Sequence, residues 1–336
     1  MNAEQLERAI KTGVRANHSI LIKGKPGAGK TDIVKQSAAT LGVDLVMFHP
    51  SVSDPTDIKG FPWCHEVDGQ VEADFIPYGE MKRLLTPQKR TIAFFDDLGH
   101  ASESVQKSLM QVLWAKQLNE FKISDNVVFL GATNDLTHKA GVMGLIEPLK
   151  SRWHSIIEYE STPKDWKKWA YTHNMPSILI SFADWRPALW DAFKPTKEIK
   201  NSPCPRTIAN FGLMLNAGYD PDIILDMGIG AVGEGFMTEF IAFEKTHQHL
   251  PNIDDLIANP KKAEVPADDP ALMYALIGAI AVKTTKDNID NIVLYMDRLP
   301  QDFAIILARD ARTVCKAIDK KGCFTQWLLK HQDLIL

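Results

Sequence analysis

The chain has 336 residues, of which 45% are hydrophobic and 24% are charged, with a formal net charge of −4 and a pI near 6.2. This balance suits a globular protein of about two domains, and it excludes a disordered chain and one held to nucleic acid by an overall positive charge. No apolar run reaches the roughly 20 residues of a membrane-spanning helix and no leader is evident, so we expect a cytosolic protein.

The first half of the sequence alternates short β-branched or aromatic runs with amphipathic segments of helical length. Five strands are predicted, at residues 19–23, 44–48, 91–95, 127–132 and 155–159, with helices at 30–41, 78–85, 102–118 and 142–150. In the third helix, apolar side chains recur with a helical period at Val105, Leu109, Val112 and Leu113. This alternation is typical of βαβ units that build a parallel sheet.

The second half has no strand signal after Glu160. Proline and glycine divide it into predicted helices at 163–173, 176–193, 205–216, 221–230 and 233–248, followed by four more from Pro270 onward. The proline-containing, largely polar segment 259–269 is the best internal linker. We therefore predict an α/β domain at residues 1–160, an α-helical domain at 161–258 and a C-terminal helical extension at 259–336.

A glycine-rich motif lies directly between the first strand and the first predicted helix. It reads Gly24-Lys25-Pro26-Gly27-Ala28-Gly29-Lys30-Thr31, a complete G-x-x-x-x-G-K-[ST] match. Glycines let backbone N–H groups turn around phosphates, the lysine reaches the β- and γ-phosphates, and the threonine hydroxyl binds Mg²⁺. The motif predicts a phosphate-binding loop for a nucleotide, most simply ATP with Mg²⁺, although it reads phosphates and leaves GTP open.

Polar side chains follow two later strands. Asp96 and Asp97 end the buried run 92–95, an arrangement that places one carboxylate on Mg²⁺ and the second near the attacking water. Asn134 ends the strand that begins at Val127, where an amide can hold that water near the γ-phosphate. Thr31 and Asp96 are therefore the predicted metal ligands, and no other metal site is expected from the scattered cysteines and histidines.

Taken together, these motifs resemble those of AAA+ ATPases, and within them the MoxR-like family, over roughly residues 15 to 220. The loop at 24–31 looks like Walker A, the run 92–97 looks like Walker B, and Asn134 stands where sensor 1 would. The resemblance implies that Arg152, at the end of Gly144-Leu145-Ile146-Glu147-Pro148-Leu149-Lys150-Ser151-Arg152-Trp153, is an arginine finger. It implies less firmly that Arg206, in Cys204-Pro205-Arg206-Thr207, is a sensor 2 arginine.

The resemblance also implies a fold and an assembly. The fold is a P-loop five-stranded parallel sheet with a β-hairpin inserted in the second helix, followed by an all-α lid and a helical C-terminal region. Residues 61–75, with Asp68-Gly69 as the turn, match the hairpin. An arginine finger implies a ring, and the family implies a homo-hexamer that remodels a protein, often with a von Willebrand factor A domain partner.

Two alternatives stay open at the level of sequence. Lysine clusters at 164, 167 and 168 and at 194, 197 and 200 would suit a nucleic-acid motor or helicase loader, although charged runs on helices are usually solvated faces. Asp97 departs from the family pattern, which usually has Glu at that position. Because aspartate is one methylene shorter, hydrolysis could be slow, and the protein would then act as a nucleotide-gated switch.

Overall fold

The computed structural model describes residues 1–134, 144–193, 198–220 and 222–335. They form two compact units, Met1–Thr162 and Pro163–Leu336. The elements of the first unit are α1 (Ala3–Ala16), β1 (Ile20–Gly24), α2 (Lys30–Leu41), β2 (Asp44–Phe48), α3 (Pro55–Lys59), β3 (Phe61–Val67), β4 (Gln70–Ile76), α4 (Gly79–Arg83), β5 (Thr91–Phe95), α5 (Glu103–Ala115), β6 (Gln117–Leu118), β7 (Phe121–Lys122), β8 (Val127–Asn134), α6 (Glu147–Lys150) and β9 (Ser155–Tyr159).

A five-stranded parallel sheet forms the centre of the first unit, with the strand order β2-β5-β8-β1-β9. The first strand lies between two much later ones, so that Gly24 pairs with Asn134 on one side and with Tyr159 on the other. Because the strands are parallel, their carboxyl ends share one edge. The predicted α/β P-loop fold is confirmed, and the ends of β1, β5 and β8 meet where the motifs require.

Successive side chains of the central strands enter different cores, which is why these strands read as continuous apolar runs. Ile92 and Phe94 pack with α1 and α2, whereas Ala93 and Phe95 pack with α5. The predicted apolar face of α5 is buried as expected, through Val105, Leu109, Val112 and Leu113. The sheet is therefore covered on both faces by helices.

Three predicted helices of this unit are shorter than expected. The helix predicted at 78–85 spans only Gly79–Arg83. The helix predicted at 102–118 ends at Ala115, because Lys116 takes a left-handed conformation (φ 48°) and the chain enters the small β6–β7 hairpin. Of the helix predicted at 142–150, residues 142 and 143 lie outside the described residues and only Glu147–Lys150 is helical. Pro148 sits in its first turn, where a missing N–H is tolerated, but a proline would break a helix that ran through it. Helix α1 was not predicted at all.

The second unit is helical throughout the part that the structure describes. Its helices are α7 (Pro163–Thr172), α8 (Ser177–Trp185), α9 (Pro187–Trp190), α10 (Pro205–Ala217), α11 (Ile224–Val232), α12 (Glu234–His247), α13 (Ile253–Ala258), α14 (Pro270–Val282), α15 (Ile289–Met296), α16 (Gln301–Val314), α17 (Gly322–Lys330) and α18 (Gln332–Ile335). The helix predicted at 176–193 is wrong as a single element. It breaks at Arg186 (φ −124°, ψ 61°), because the residue before a proline avoids the helical region.

Helix α14 packs with both halves of the second unit. Ala275 belongs to a core with α7, α8, α10 and α12, whereas Leu276 and Ile280 belong to a core with α13, α15 and α16. The approach to α8 is close, since a Cβ on Gly278 would lie 1.9 Å from the Ser181 hydroxyl oxygen. The division that we predict at residue 258 stays a prediction.

The segment 259–269 lies on the second of these cores. The Tyr295 hydroxyl donates to the Glu264 carbonyl at 2.7 Å, the Arg298 guanidinium donates to the Pro260 carbonyl, and Val265 packs against the core. Across the described residues, no helix is both long enough and apolar enough to span a membrane.

Candidate functional site

The glycine-rich loop leaves the carboxyl end of β1 and becomes the first turn of α2. Gly27 and Gly29 take left-handed conformations, with φ of 72° and 92°, which glycine adopts without steric cost. Gly24 is required for a different reason, because a Cβ there would lie 2.5 Å from the Tyr159 carbonyl oxygen on β9. The loop is thus shaped by its glycines at the N-terminus of a helix, the usual backbone cradle for phosphate.

The Lys30 side chain is buried inside this loop. Its ammonium group donates to the carbonyl oxygens of Gly24 (2.9 Å) and Lys25 (2.8 Å) and to Oδ1 of Asn134 (2.8 Å). Lys30 and Asn134, two predicted site residues that are far apart in the sequence, are therefore in direct contact. The positive charge of Lys30 lies at the carboxyl edge of the sheet, where the loop would hold a phosphate chain.

Asp96 and Thr31 are paired on the neighbouring side of the loop. The Thr31 hydroxyl donates to Oδ2 of Asp96 at 2.7 Å, and the backbone N–H of Asp97 donates to Oδ1 of Asp96 at 3.0 Å. Asp96 is buried at the end of β5. A hydroxyl and a carboxylate side by side are hard oxygen ligands of the kind Mg²⁺ prefers, so these two residues fit the metal that the motif implies.

Asp97 differs from Asp96 in both exposure and backbone. Its side chain is exposed, and its backbone is left-handed (φ 50°, ψ 38°), a conformation that costs a non-glycine residue on the order of 1 kcal/mol. Oδ1 of Asp97 accepts from the Asn134 side-chain amide at 3.3 Å. Asn134 consequently joins Lys30 and Asp97, and the five predicted residues form two adjoining hydrogen-bonded sets.

Arg152 lies in the turn between α6 and β9, and its guanidinium donates to the Pro148 carbonyl. Its Nε is buried and has no hydrogen-bond partner among the described residues. No hydrogen bond in that part of the chain joins Arg152 to Lys30, Thr31, Asp96 or Asn134. The structure therefore brings together the predicted phosphate and metal residues and leaves Arg152 outside their network.

Arg206 belongs to the second unit. It is exposed in the first turn of α10, a turn closed by a hydrogen bond of 2.9 Å from the Cys204 backbone N–H to the Thr207 hydroxyl. Its predicted sensor role stays a prediction.

Two further residues, which belong to no sequence motif, make hydrogen bonds that support the site. The buried Tyr159, at the end of β9, donates its hydroxyl to the Ala28 carbonyl of the glycine-rich loop at 3.1 Å. The second is Gln106, which is buried in α5. Its amide nitrogen donates to the carbonyls of Ala101 (3.1 Å) and Gly144 (2.9 Å), and its oxygen accepts from the Ile146 N–H (3.0 Å).

Gln106 thereby ties two functional segments together. Ala101 follows the Asp96-Asp97 pair, and residues 144–146 lead into α6 and Arg152. A second bond supports this link, since the Gly144 N–H donates to the Gly99 carbonyl at 3.2 Å. Because the Gly144 and Ile146 partners of Gln106 and the Ala28 partner of Tyr159 are distant in sequence, no short motif could have identified these two residues.

The lysine clusters give a mixed result. Lys167 is not on a solvated face: it lies among α7, α8 and α16, where its ammonium pairs with Asp184 and, at 2.7 Å, with Asp310. Lys164 and Lys168 are exposed, Lys200 pairs with Glu198 at 2.7 Å, and residues 194 and 197 lie outside the described residues.

The buried lysine and its two carboxylates form a closed cluster. The Tyr171 hydroxyl donates to Asp310 at 2.9 Å. Burial raises the pKa of Asp310 to about 6 and also raises the pKa of Asp184. Burial acts to lower the pKa of Lys167, but the two carboxylates outweigh it and the net shift is upward. Lys167 therefore stays charged and pairs with both carboxylates.

The family comparison agrees with this geometry. Residues 20–160 match the family described as "ATPase family associated with various cellular activities (AAA)". We refer to the part of the chain that matches this family, residues 20–160, as the AAA domain. This span includes the glycine-rich loop, both aspartates, Asn134 and Arg152. No curated protein matches the sequence.

Two solved structures similar to the chain illustrate the range of the matches. The RuvB Holliday junction branch migration motor of Thermotoga maritima is 14% identical with a TM-score of 0.41, covering 81% of this chain and 80% of that one. NtrX from Brucella abortus, in complex with ADP, is 17% identical with a TM-score of 0.40, covering 99% and 68%. Similarity at this level says nothing of what the present chain binds or moves.

Proposed function

We propose that this chain binds ATP with Mg²⁺ and hydrolyses it, through the site in its AAA domain. One observation carries the proposal: Lys30, Thr31, Asp96, Asp97 and Asn134, from the start of α2 and the carboxyl ends of β5 and β8, are joined by hydrogen bonds beside a glycine-shaped loop. That is a phosphate cradle with one buried cation, one pair of oxygen ligands and one exposed carboxylate. These are the parts that phosphoryl transfer to water requires.

Each residue has a role that follows from its position. Lys30 would leave its carbonyl partners for the β- and γ-phosphates, while Thr31 and Asp96 would hold Mg²⁺, which neutralises developing charge on the phosphate oxygens. Asp97 is exposed and hydrogen-bonded to Asn134, so the pair can orient a water and accept its proton. Tyr159 would hold the glycine-rich loop in position through its hydrogen bond to the Ala28 carbonyl.

A ring is the second part of the proposal. Arg152 has no hydrogen bond to its own network, as expected of a finger that serves the neighbouring subunit, and Gln106 supports the segment that carries it. The resemblance to MoxR-like ATPases then favours a homo-hexamer that remodels a protein, with a von Willebrand factor A domain protein as one candidate partner. In such a ring, Arg206 of the second unit would act as sensor 2.

The nucleic-acid alternative receives less support. One lysine of its first cluster, Lys167, is buried and paired with two carboxylates, and Lys200 of its second is paired with Glu198. The slow-switch alternative has one observation in its favour, since the short Asp97 side chain is bonded to Asn134. Turnover and nucleotide trapping by Asp97 variants, measured with ATP and GTP, separate a motor from a switch.

Subunit mixing tests the proposal. Arg152→Ala chains should bind ATP normally but hydrolyse it about 10³-fold more slowly or worse, the range measured for arginine fingers. Mixing them with Lys30→Ala chains should restore activity, because a chain with an intact loop then receives a finger from its neighbour. If the Arg152→Ala and Lys30→Ala chains form mixed rings that remain inactive, Arg152 is not an arginine finger. If the parent protein does not bind ATP, the whole proposal is wrong.

A further inference from the structure

The β3–β4 hairpin, residues 60–76, is exposed on both faces. Its seven cross-strand pairs run from Phe61 opposite Ile76 to Val67 opposite Gln70. Phe61 and Trp63 are each 57% exposed on one face, and Val71 and Phe75 are 78% and 38% exposed on the other. We call residues 60–76 the acidic hairpin, for the charge described below.

The base of the acidic hairpin is held firmly. Gly60 (φ 103°) allows the strands to meet there, because a Cβ would lie 2.7 Å from the Ile76 carbonyl oxygen. The Asn119 side chain donates to the Lys59 carbonyl at 2.7 Å, and the Tyr78 hydroxyl donates to Asp57 at 2.6 Å. These contacts fix the direction in which the hairpin leaves the domain.

The turn at the opposite end is equally well formed. Asp68 and Gly69 both have positive φ, 51° and 76°, the combination that a two-residue turn between twisted strands requires. An isolated two-stranded hairpin is barely stable in water, and exposing five large apolar side chains, Ile76 included, adds nothing to its stability. Such a preformed, uncovered apolar surface is typical of a docking site.

The charge of the hairpin indicates what docks there. Residues 60–76 contain Glu66, Asp68, Glu72 and Asp74 and no lysine or arginine. Asp74 pairs with His65 at 3.3 Å, whereas no ion pair of Glu66, Asp68 or Glu72 occurs among the residues that the structure describes. A polyanion such as nucleic acid would be repelled. Lysine or arginine next to apolar side chains would satisfy both the carboxylates and the aromatic rings.

We infer that the acidic hairpin docks a segment of a partner protein in which Lys or Arg residues alternate with apolar ones. This inference adds a partner class to the proposed function. It depends on the proposed function in one respect, that the partner is a protein. In this arrangement Phe61 and Trp63 bind the apolar side chains and the stems of the basic ones, and Glu72 and Asp74, on the same face of the hairpin, pair with their charged ends. Extended basic segments can also pair with a free strand edge of the hairpin.

Fluorescence anisotropy on the full chain tests this directly, with three labelled probes. They are a peptide of alternating Lys and Leu, a peptide of alternating Glu and Leu, and a single-stranded oligodeoxynucleotide. The hairpin variants are Trp63→Ser and the double variant Glu72→Lys/Asp74→Lys, which reverses two charges on the face that carries Trp63. Matched controls are Leu329→Ser, which replaces a 62% exposed apolar side chain, and Glu264→Lys/Asp268→Lys, which changes the net charge equally at exposed sites of the second unit.

The parent should bind the basic peptide, and each hairpin variant should weaken that binding at least tenfold while the controls stay within twofold. The charge-reversed hairpin should in addition bind the acidic peptide. Equal binding by hairpin and control variants would overturn the inference, as would oligonucleotide binding that Trp63→Ser abolishes, or self-association that the hairpin variants abolish. Circular dichroism verifies folding of each variant.

The peptides are titrated without nucleotide, so this result does not depend on ATP turnover. ATP hydrolysis without hairpin-dependent peptide binding removes this inference alone, whereas peptide binding without ATP hydrolysis removes the proposed function alone.

Discussion

The two units each contain a buried lysine with acidic or amide partners, and the two clusters do different things. In the AAA domain, Lys30 contacts two loop carbonyls and an amide, next to an exposed carboxylate and a loop with left-handed glycines. In the helical unit, Lys167 contacts two carboxylates that are themselves enclosed by helices.

The difference indicates that the groups around a buried lysine decide whether the lysine is able to bind a ligand. Lys30 can exchange neutral carbonyl partners for a phosphate at little electrostatic cost. Lys167 would leave two buried carboxylates uncompensated if it moved, so it holds α7, α8 and α16 together. The first cluster should therefore respond to ligand and the second to denaturant and pH.

Loss of the Lys30 charge should have the largest effect. Lys30→Ala should reduce ATP affinity by more than about 100-fold, because a cation in direct contact with phosphates is removed from a desolvated site. Isothermal titration calorimetry measures the affinity, and the control, Lys167→Met, should bind ATP normally at temperatures where it is folded. Parental affinity in a folded Lys30→Ala chain would contradict the assignment of the loop.

Replacement of Asp97 should uncouple hydrolysis from binding. Asp97→Asn should lower kcat by about 10² to 10⁴, the range for a lost general base. It should leave ATP affinity near that of the parent, because the proposed metal ligands Asp96 and Thr31 are unchanged. Single-turnover kinetics and nucleotide retention after gel filtration measure both. If Asp97→Asn turns over at the parental rate, another carboxylate, such as Glu103, activates the water; Glu103 pairs with Lys107 at 2.8 Å.

The helical cluster should respond in the opposite way. Lys167→Met keeps most of the side-chain volume but leaves Asp184 and Asp310 without their cation, which should cost about 3 to 5 kcal/mol of stability. Urea unfolding followed by hydrogen exchange of peptides from α7, α8 and α16 locates the loss. Destabilisation confined to the first unit would show that the cluster does not hold the helices.

Asp310 should make the stability of the helical unit depend on pH. Its pKa is about 6 in the folded state, above its ordinary value of 3.8. Between about pH 4 and pH 6 the folded chain holds a proton that the unfolded chain has released, so stability should fall by up to roughly 3 kcal/mol as pH rises through this window.

Asp310→Asn should flatten that slope and keep the Tyr171 contact. Hydrogen exchange of α16 peptides at several pH values measures it. A slope that persists in the variant would assign the proton to another group, with Asp184 the first candidate.

The smallest effect is expected at Gln106. Gln106→Leu should leave ATP affinity unchanged and lower hydrolysis about tenfold, since the loss of its bonds loosens the segment before Arg152 by on the order of 1 to 3 kcal/mol. In mixed rings, the loss of hydrolysis should appear when the Gln106→Leu substitution is in the chain that supplies Arg152. Lys30→Ala chains should rescue Arg152→Ala chains better than Lys30→Ala/Gln106→Leu chains do, and equal rescue would limit Gln106 to a structural role.

The sequence predicted the parts of the AAA domain that depend on short-range patterns. Buried strands followed by Asp96 and Asn134, and a loop whose glycines need positive φ, are local signals, and strand order then brings them together. The hairpin predicted at 61–75 from the family resemblance and from the Asp68-Gly69 turn is present and extends to Ile76. The interpretation failed where tertiary contacts decide. Lys167 has an ordinary charged-helix sequence, and only its position opposite Asp184 and Asp310, far along the chain, makes it a core residue.

The position of β1 in the sheet has a consequence for synthesis of the protein. Its hydrogen-bonding partners β8 and β9 are encoded more than a hundred residues later, so the strand leaves the ribosome with no place to pair. At translation rates of 5 to 20 residues per second, it waits roughly 5 to 30 s for them. During that interval the apolar run Ile20-Leu21-Ile22 is available to chaperones or to aggregation. The glycine-rich loop can acquire its native shape only after the last strand of the sheet has been made.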